Sequence, residues 1–585
     1  MLQIIKKINK VLNRKQIIRF IVIAVMMIIG ALLEMLGVGL IMPIVSVITN
    51  EEFMVTNKYA RIVCEWLNIH SANKFVLLMI VILILIYILK NGYLFLEYYV
   101  QWRFVCNNRF VTQQKLMERY LTQTYEFFLH AESGEIIRVI NDDVSGCFNL
   151  LSLVLSFLTE AVISVALVLT IVVMDPMMAI LTAVVLGGVL LLVNHILRPI
   201  LKNAGIDFQT SVAKSNKWLM QSISGIKEIK VSRTEQFFLD QFSIYGKRAV
   251  DAEKVNNVLN NVPRLSIETF GISSMLAVIA ILMCMGREIN AMLPQLTAFA
   301  MAAVRLLPSV NRMSTALNSM AYYEPSLDKM IENLRAGNDL HSLGAYNVTA
   351  ERLDGNIGIS IHDRIELRDI TYHYPNGERP VLENANMVIH VGQSVGIVGA
   401  SGSGKTTAID ILLGLLQPQS GCVKVDGCDI QENYAGWLSQ LSYIPQAIFM
   451  LDDTIRANVA FGVTEEDIDD DQVWNALEEA QLRGFVQSLP EGLDTSIGER
   501  GVRLSGGQRQ RIGIARALYS DPQVLIFDEA TSALDNETES AIMESINALH
   551  GKKTMIIIAH RLTTIQECDV VYRVEDGKIT LESVV

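Results

Sequence analysis

Residues Gly399–Thr406 read GASGSGKT, a spacing that can wrap an anion in main-chain N–H groups. The glycines Gly399, Gly402 and Gly404, alternating with Ala400, Ser401 and Ser403, let the backbone bend around the phosphates of a nucleoside triphosphate. Lys405 would reach the terminal phosphates, the Thr406 hydroxyl would ligate magnesium, and Thr407 continues the turn. A second constellation, VLIFDE at Val524–Glu529, is an apolar run ending in two carboxylates. That pattern suits Asp528 to a magnesium ion and Glu529 to polarising an attacking water as general base. A third, LSGGQ at Leu504–Gln508, sets Ser505, Gly506, Gly507 and Gln508 before the helical pattern QRQRIGIARALYS, where N–H groups and a helix dipole can again meet an anion. One domain cannot apply both glycine loops to one nucleotide.

The elements needed to position these groups are legible around them. SVGIVG, ahead of the first loop, reads as a strand, and TTAIDILLGLL behind it reads as an amphipathic helix, the strand, loop, helix context that presents a helix N-terminus to phosphate. The last 220 or so residues look like an ordinary soluble α/β domain, yet over the whole chain 51% of residues are hydrophobic and only 19% are charged. The apolar excess therefore lies upstream. Six runs there are long enough to cross a bilayer: 17–47, 73–100, 148–174, 177–197, 262–286 and 292–320. Lys and Arg number six in the first 19 residues, five in 101–147 and ten in 198–261, against Lys58, Arg61, Lys74 and Arg287 in the opposite connections. Positive-inside bias places the N-terminus in the cytoplasm. The apolar run after the basic start is too long for a signal peptide and lacks a small-residue cleavage site.

Net charge is −12, and no basic patch interleaved with aromatics points to nucleic acid. The seven cysteines are odd in number and include no CxxC pair, which indicates neither a disulfide framework nor a zinc site.

With these motifs in this order, the chain resembles a half-transporter of the ATP-binding cassette superfamily, of the exporter type. The resemblance implies a membrane α-helical bundle of six transmembrane helices (1–323), a linker (324–360) and an α/β P-loop nucleotide-binding domain (361–585), with ATP and Mg2+ as cofactors. It further implies that Tyr374 in TYHYP stacks on adenine, with Tyr372 the competing aromatic, and that Gln446 in SYIPQ senses magnesium. His560 would contact the terminal phosphate. Two such domains meet head to tail with ATP between the glycine loop of one and the LSGGQ of the other, so one copy of each motif implies a homodimer. Each long cytoplasmic loop would carry a coupling helix, near Glu126–Glu135 and near Trp218–Gly225.

The membrane half bears on cargo. Residues 57–68 place Tyr59, Ile62, Val63, Trp66 and Leu67 on one face, an amphipathic external helix too short to span, suited to the membrane interface, to a lipid chain or to packing on neighbouring spans. Lys90, Arg264 and Arg305 interrupt apolar runs. A charge at mid-bilayer costs about 2.5–3.5 kcal/mol on insertion scales, so these cations should face a wet cavity, an anionic ligand or an internal acid such as Glu34, Glu97, Glu160 or Glu268, or snorkel from a span end. Around NKY, WLNI, VPR and RLLPSVNR the chain resembles the bacterial lipid-linked oligosaccharide flippases of protein N-glycosylation. That resemblance implies a membrane-lipid cargo, a polyprenyl-pyrophosphate-linked oligosaccharide, whose head meets the cations and whose tail meets the external helix, in a bacterial inner membrane. Lys90 stands where that family can carry arginine, which would keep the charge but lose the planar fork. The competing reading is an exporter of another amphiphile, such as a drug or a lipopolysaccharide precursor.

Overall fold

In the computed structural model the described residues are 2–8, 13–39, 72–174, 176–284, 289–340, 360–528 apart from 376 and 378, 543–558 apart from 545, and 565–584 apart from 566. They form two compact units, residues 1–123 with 130–344, and residues 124–129 with 345–585.

The first unit is helical. Helix α1 (Leu2–Ile8) buries Ile4 and Ile8, and α2 (Arg14–Gly39) follows. The apolar run expected at 73–100 continues as α3, a helix of 50 residues (Ala72–Leu121). Beyond the short helices α4 (Tyr125–His130) and α5 (Ser133–Arg138) comes a five-residue π turn, Val139–Asp143, leading into α6 (Val144–Met174). Helix α7 (Pro176–Ser224) likewise outruns its apolar part, ahead of α8 (Ile226–Ser232), α9 (Glu235–Leu259), α10 (Val262–Cys284) and α11 (Ile289–Leu340). The long polar loops read from sequence are thus mainly continuations of the spanning helices. Among the described residues, four stretches are long and apolar enough to cross a membrane: Arg14–Leu33, Lys74–Leu121, Ser133–Val165 and Gly187–Ser224.

Helix α11 runs into the segment expected to link the two domains. The expected linker at 324–360 is helical through Leu340. Its scattered Gly, Asn, Asp and Ser conceal a stripe of Leu327 and Met330, both fully buried, at the three-residue spacing of a helix face. Lys7 of α1 pairs with Glu324 (3.0 Å) and Asp328 (2.7 Å) of the same segment. A buried group ties the π turn to its neighbours: Arg138 Nη1 donates to Asp143 Oδ2 (2.6 Å), and Gln209 Nε2 of α7 donates to Asp143 Oδ1 (2.7 Å) and to Ser326 Oγ of α11 (2.9 Å).

The second unit holds two sheets. One is antiparallel, in the order β2 (Leu382–His390), β1 (Arg364–Tyr372), β4 (Ser420–Val425), β5 (Cys428–Asp429). The other runs β10 (Lys578–Val584), β9 (Val570–Glu575), β3 (Ser394–Val398), β8 (Thr554–Ile558), β7 (Val524–Asp528), β6 (Leu441–Ile444), parallel from β9 to β6 with β10 antiparallel at the edge. Strand β7 is buried at every residue, which is why VLIFD shows no polar alternation. Its two faces serve different cores. Val524 and Ile526 pack with Leu441, Ile556 and the Ala408, Ile409, Ile411 and Leu412 face of α12 (Lys405–Leu412); Leu525 and Phe527 pack with Ile444, Ile557 and the Ile512 and Ile514 face of α13 (Gly506–Tyr519).

Candidate functional site: the nucleotide centre

The glycine loop joins β3 to α12, as its sequence context predicts. Gly404 caps the helix at φ +104°, and Gly399 is held at φ +155°, where a β-carbon would stand 2.3 Å from the carbonyl of Val574. Only glycine fits this close approach. Lys405 is buried and its Nζ donates to the carbonyls of Gly399 and Ala400, each at 2.9 Å, so the loop is curled around its own cation. Ser401 and Gly402 form the exposed rim, and Thr406 is exposed in the first turn of α12. Ser403 Oγ is buried and has no hydrogen-bond partner among the described residues. A buried hydroxyl of this kind, with the N–H groups of a helix N-terminus, fits an anionic ligand.

Of the two candidate aromatics, Tyr372 is only 1% exposed, with its ring set edge-on to that of Tyr374 (centroids 5.2 Å apart, 84°). Tyr374 is partly exposed, and its hydroxyl shares a hydrogen bond with Thr407 Oγ1 at 3.2 Å. Residues 124–129, which include most of α4, belong to this unit. Burial pushes the Tyr125 phenol up, as do the neighbouring Asp410 and Tyr374, and burial raises Tyr372 with Glu126 adding to it. Part of the coupling segment expected at 126–135 is therefore in the electrostatic reach of Tyr372 and Tyr374.

Asp528 ends β7 at 8% exposure and accepts a 2.8 Å hydrogen bond from the Tyr443 hydroxyl of β6. Asp410 of α12 is also buried; desolvation, then the charge of Asp528, lift its carboxyl to about 6. The buried Asp528 carboxylate, the exposed Thr406 hydroxyl and the exposed Gln446 amide in the loop after β6 are hard oxygen donors, the chemistry that suits Mg2+.

At the LSGGQ segment, Ser505 caps α13 in a reciprocal box. Its Oγ accepts from Gln508 N (3.2 Å), and its own N–H donates to Gln508 Oε1 (2.8 Å). The Ser505 amide, expected to serve an anion, is thus committed to Gln508, and the box leaves the amides of Gly506 and Gly507 for a ligand. Arg509 steadies the preceding loop by donating to the carbonyls of Gly501 and Leu504.

Glu529 and His560 lie outside the described residues, as do Tyr59 and Trp66 and the whole segment 57–68. Arg305 falls within α11, but its side chain also lies outside what is described. Lys90 is 8% exposed, with Nζ 4.7 Å over the ring of Tyr87 on the same helix. Arg264 pairs with Glu268 at 3.7 Å, both side chains more than half exposed. Glu160 is engaged instead by Arg312, which grips it through both Nε and Nη2 (the latter at 3.1 Å). Sequence reasoning passed over Arg312, although it sits at the end of RLLPSVNR. It also passed over Tyr443, three positions before Gln446, and Asp410, whose only signal was an acid on an otherwise apolar helix face.

Residues 20–302 match the family described as the ABC transporter transmembrane region, and residues 382–532 match the ABC transporter family. An ATP-dependent lipid A-core flippase from Burkholderia orbicola is 30% identical over 81% of this chain and 78% of its own length. An uncharacterised ABC transporter ATP-binding protein from Sinorhizobium fredii is 28% identical over 80% and 78%. A bacterial Atm1-family ABC exporter solved with ATP bound superimposes with a TM-score of 0.74 at 21% identity, covering 97% of this chain and 94% of that one, and so shares the fold. A nucleotide unit of this construction behind a helical membrane domain, in a chain with these relatives, belongs to the ABC transporter family as an exporter-type half-transporter, an ATP-driven translocase.

Proposed function

We propose that the chain acts as a homodimeric flippase in a bacterial inner membrane, moving a polyprenyl-pyrophosphate-linked oligosaccharide from the cytoplasmic to the outer leaflet. The observation that carries the reading is the combination of a nucleotide centre built around Lys405 and Asp528 with apolar helices that contain the cations Lys90, Arg264 and Arg305. A large anionic, sugar-rich head cannot cross hydrocarbon unaided, and a cationic, hydrated path lowers the cost of its passage.

In the nucleotide cycle, Tyr374 stacks on adenine, the amides of 399–407 and Lys405 hold the phosphates, and Ser505–Gln508 of the partner copy closes over them. Thr406, Asp528 and Gln446 would hold Mg2+, which supplies charge neutralisation at the phosphates when bound. Glu529 takes a proton from the attacking water, and His560 contacts the terminal phosphate.

A second reading is favoured by the relative named an ATP-dependent lipid A-core flippase: a lipid A-core cargo. Reconstituted vesicles separate the two. ATP-dependent transfer of fluorescent polyprenyl-pyrophosphate oligosaccharide, abolished by Glu529→Gln and by Arg305→Ala with ATPase retained in the arginine variant, supports the first reading. Transfer of labelled lipid A-core alone supports the second. Transfer of neither by a chain that hydrolyses ATP discards both.

A further inference from the structure

The Tyr443 hydroxyl is a feature that the fold alone does not require. Strand β6 pairs in parallel with β7, with Leu441 beside Val524 and Tyr443 beside Ile526. Side chains two apart on a strand share a face, so Tyr443 and Asp528 lie on one side of the sheet, offset by one diagonal step, within reach of a phenol. The hydroxyl spans that step and donates to Asp528 Oδ2 at 2.8 Å, within the range of a charge-assisted bond.

Asp528 needs such a donor. It is 8% exposed at the end of a fully buried strand, and a buried carboxylate is costly unless hydrogen-bonded. Asp410 on α12 adds like charge, which raises the cost of an ill-placed Asp528 carboxylate. We propose that Tyr443 is a positioning residue of the nucleotide centre, fixing the Asp528 carboxylate through Oδ2 and thereby setting the affinity of the site for a divalent cation. The inference rests on the reading of Asp528 as a cation ligand. Phenylalanine would fill the same space without the hydroxyl, so the role is separable from packing. The loop that leaves this strand carries Gln446 three residues later, so one strand and loop would place two groups of the cation site.

The test uses full-length transporter in nanodiscs, with Tyr443→Phe and Asp528→Asn compared to the natural chain. Five quantities are read: binding of the fluorescent analogue TNP-ATP with Mg2+ and in EDTA, the Mg2+ concentration giving half-maximal ATPase, binding of Mn2+ alone followed by electron paramagnetic resonance, and the unfolding temperature of the ligand-free protein. For Tyr443→Phe we expect analogue affinity in EDTA within about twofold of the natural chain, and a Mg2+ half-point and Mn2+ dissociation constant both raised at least about tenfold, the low end of the scale of one lost hydrogen bond to a charged group. An unchanged Mg2+ half-point and Mn2+ affinity in Tyr443→Phe, with both shifted in Asp528→Asn, overturns the inference and leaves Asp528 its role. Equal weakening of the analogue with and without metal, or a lowered unfolding temperature of the ligand-free protein, also overturns it by making the hydroxyl a structural support. If Asp528→Asn itself leaves metal dependence unaltered, the reading of Asp528 falls and takes the inference with it.

Discussion

The hydroxyl of Tyr374 lies 3.2 Å from Thr407 Oγ1, so an aromatic ring from the first sheet's side of the unit is hydrogen-bonded to the helix that begins at the phosphate loop. The pair fixes the ring while leaving it partly exposed, and Tyr372 buried behind it supplies an edge-on support. If Tyr374 is the adenine platform, Tyr374→Ala should weaken nucleotide binding about tenfold, the scale of one aromatic stacking contact, while Tyr374→Phe stays within about twofold. Fluorescent-nucleotide titration of the purified transporter checks both.

Gly399→Ala should be far more damaging than its size implies. The added carbon would stand 2.3 Å from the Val574 carbonyl, a backbone atom that cannot swing aside, in a conformation that side chains rarely adopt. A destabilisation of about 2–4 kcal/mol, together with lost ATP binding, is expected. Thermal unfolding with and without ATP reads this out, and a variant that unfolds normally and still gains stability from ATP would contradict it.

The buried pair Arg138–Asp143 makes a sharper distinction between two substitutions. Asp143→Ala removes the 2.6 Å partner of a guanidinium that is 4% exposed, leaving it the 3.3 Å contact to Glu135, and takes the 2.7 Å acceptor from Gln209, so a loss of about 3 kcal/mol is expected. Asp143→Asn keeps one acceptor oxygen, enough for Arg138 or for Gln209 but not for both, and sets its NH2 against the other donor, so it should recover only part of that loss. Unfolding temperatures in the same detergent or nanodisc give the comparison.

Asp426 carries a pH signature. It opens the Asp426-Gly427 turn between β4 and β5, both residues at positive φ (48° and 87°), a type I′ hairpin turn. Its side chain accepts from the amides of His362 (2.8 Å), Asp363 (2.9 Å) and Arg364 (3.0 Å). Partial burial pulls the carboxyl upward, but these three donors outweigh it and hold the pKa below its ordinary value. A depressed carboxyl contributes stability that is complete above its unfolded pKa of about 4 and is lost as pH falls through the lower folded value. Because Asp426 is exposed and solvent screens its charge, Asp426→Asn, which tolerates the same turn, should cost only about 0.5 kcal/mol near neutral pH. The gap to the natural chain should narrow below about pH 4, as measured by unfolding temperature across a pH series.

Much of the nucleotide site was legible before any coordinates because its chemistry is local. The glycine spacing of 399–404, Lys405, the strand before and the helix after all fall within some twenty consecutive residues, and backbone torsion and helix N-terminal amides depend on neighbours in sequence. Apolar run length likewise specified where helices such as α3 and α7 begin, since a segment crossing hydrocarbon must satisfy its own backbone hydrogen bonds. That α11 runs on to Leu340 was not legible, because the burial of Leu327 and Met330 and the bond from Gln209 to Ser326 are set by packing against neighbouring helices and not by local composition.

What the sequence by itself determined, then, is the set of chemical groups and the local backbone able to present them: a phosphate loop, a strand ending in Asp528 and Glu529, a capped LSGGQ helix and long apolar helices. Only the tertiary structure decided how those groups are used in combination. It buried Tyr372 and left Tyr374 a face, spent the Ser505 amide on Gln508, joined Arg312 to Glu160 across 152 residues, and brought Tyr443 to Asp528 across 85. Burial and cross-strand register are properties of the packed whole, set by which strand lies beside which and by which faces lose water, and no window of sequence contains them.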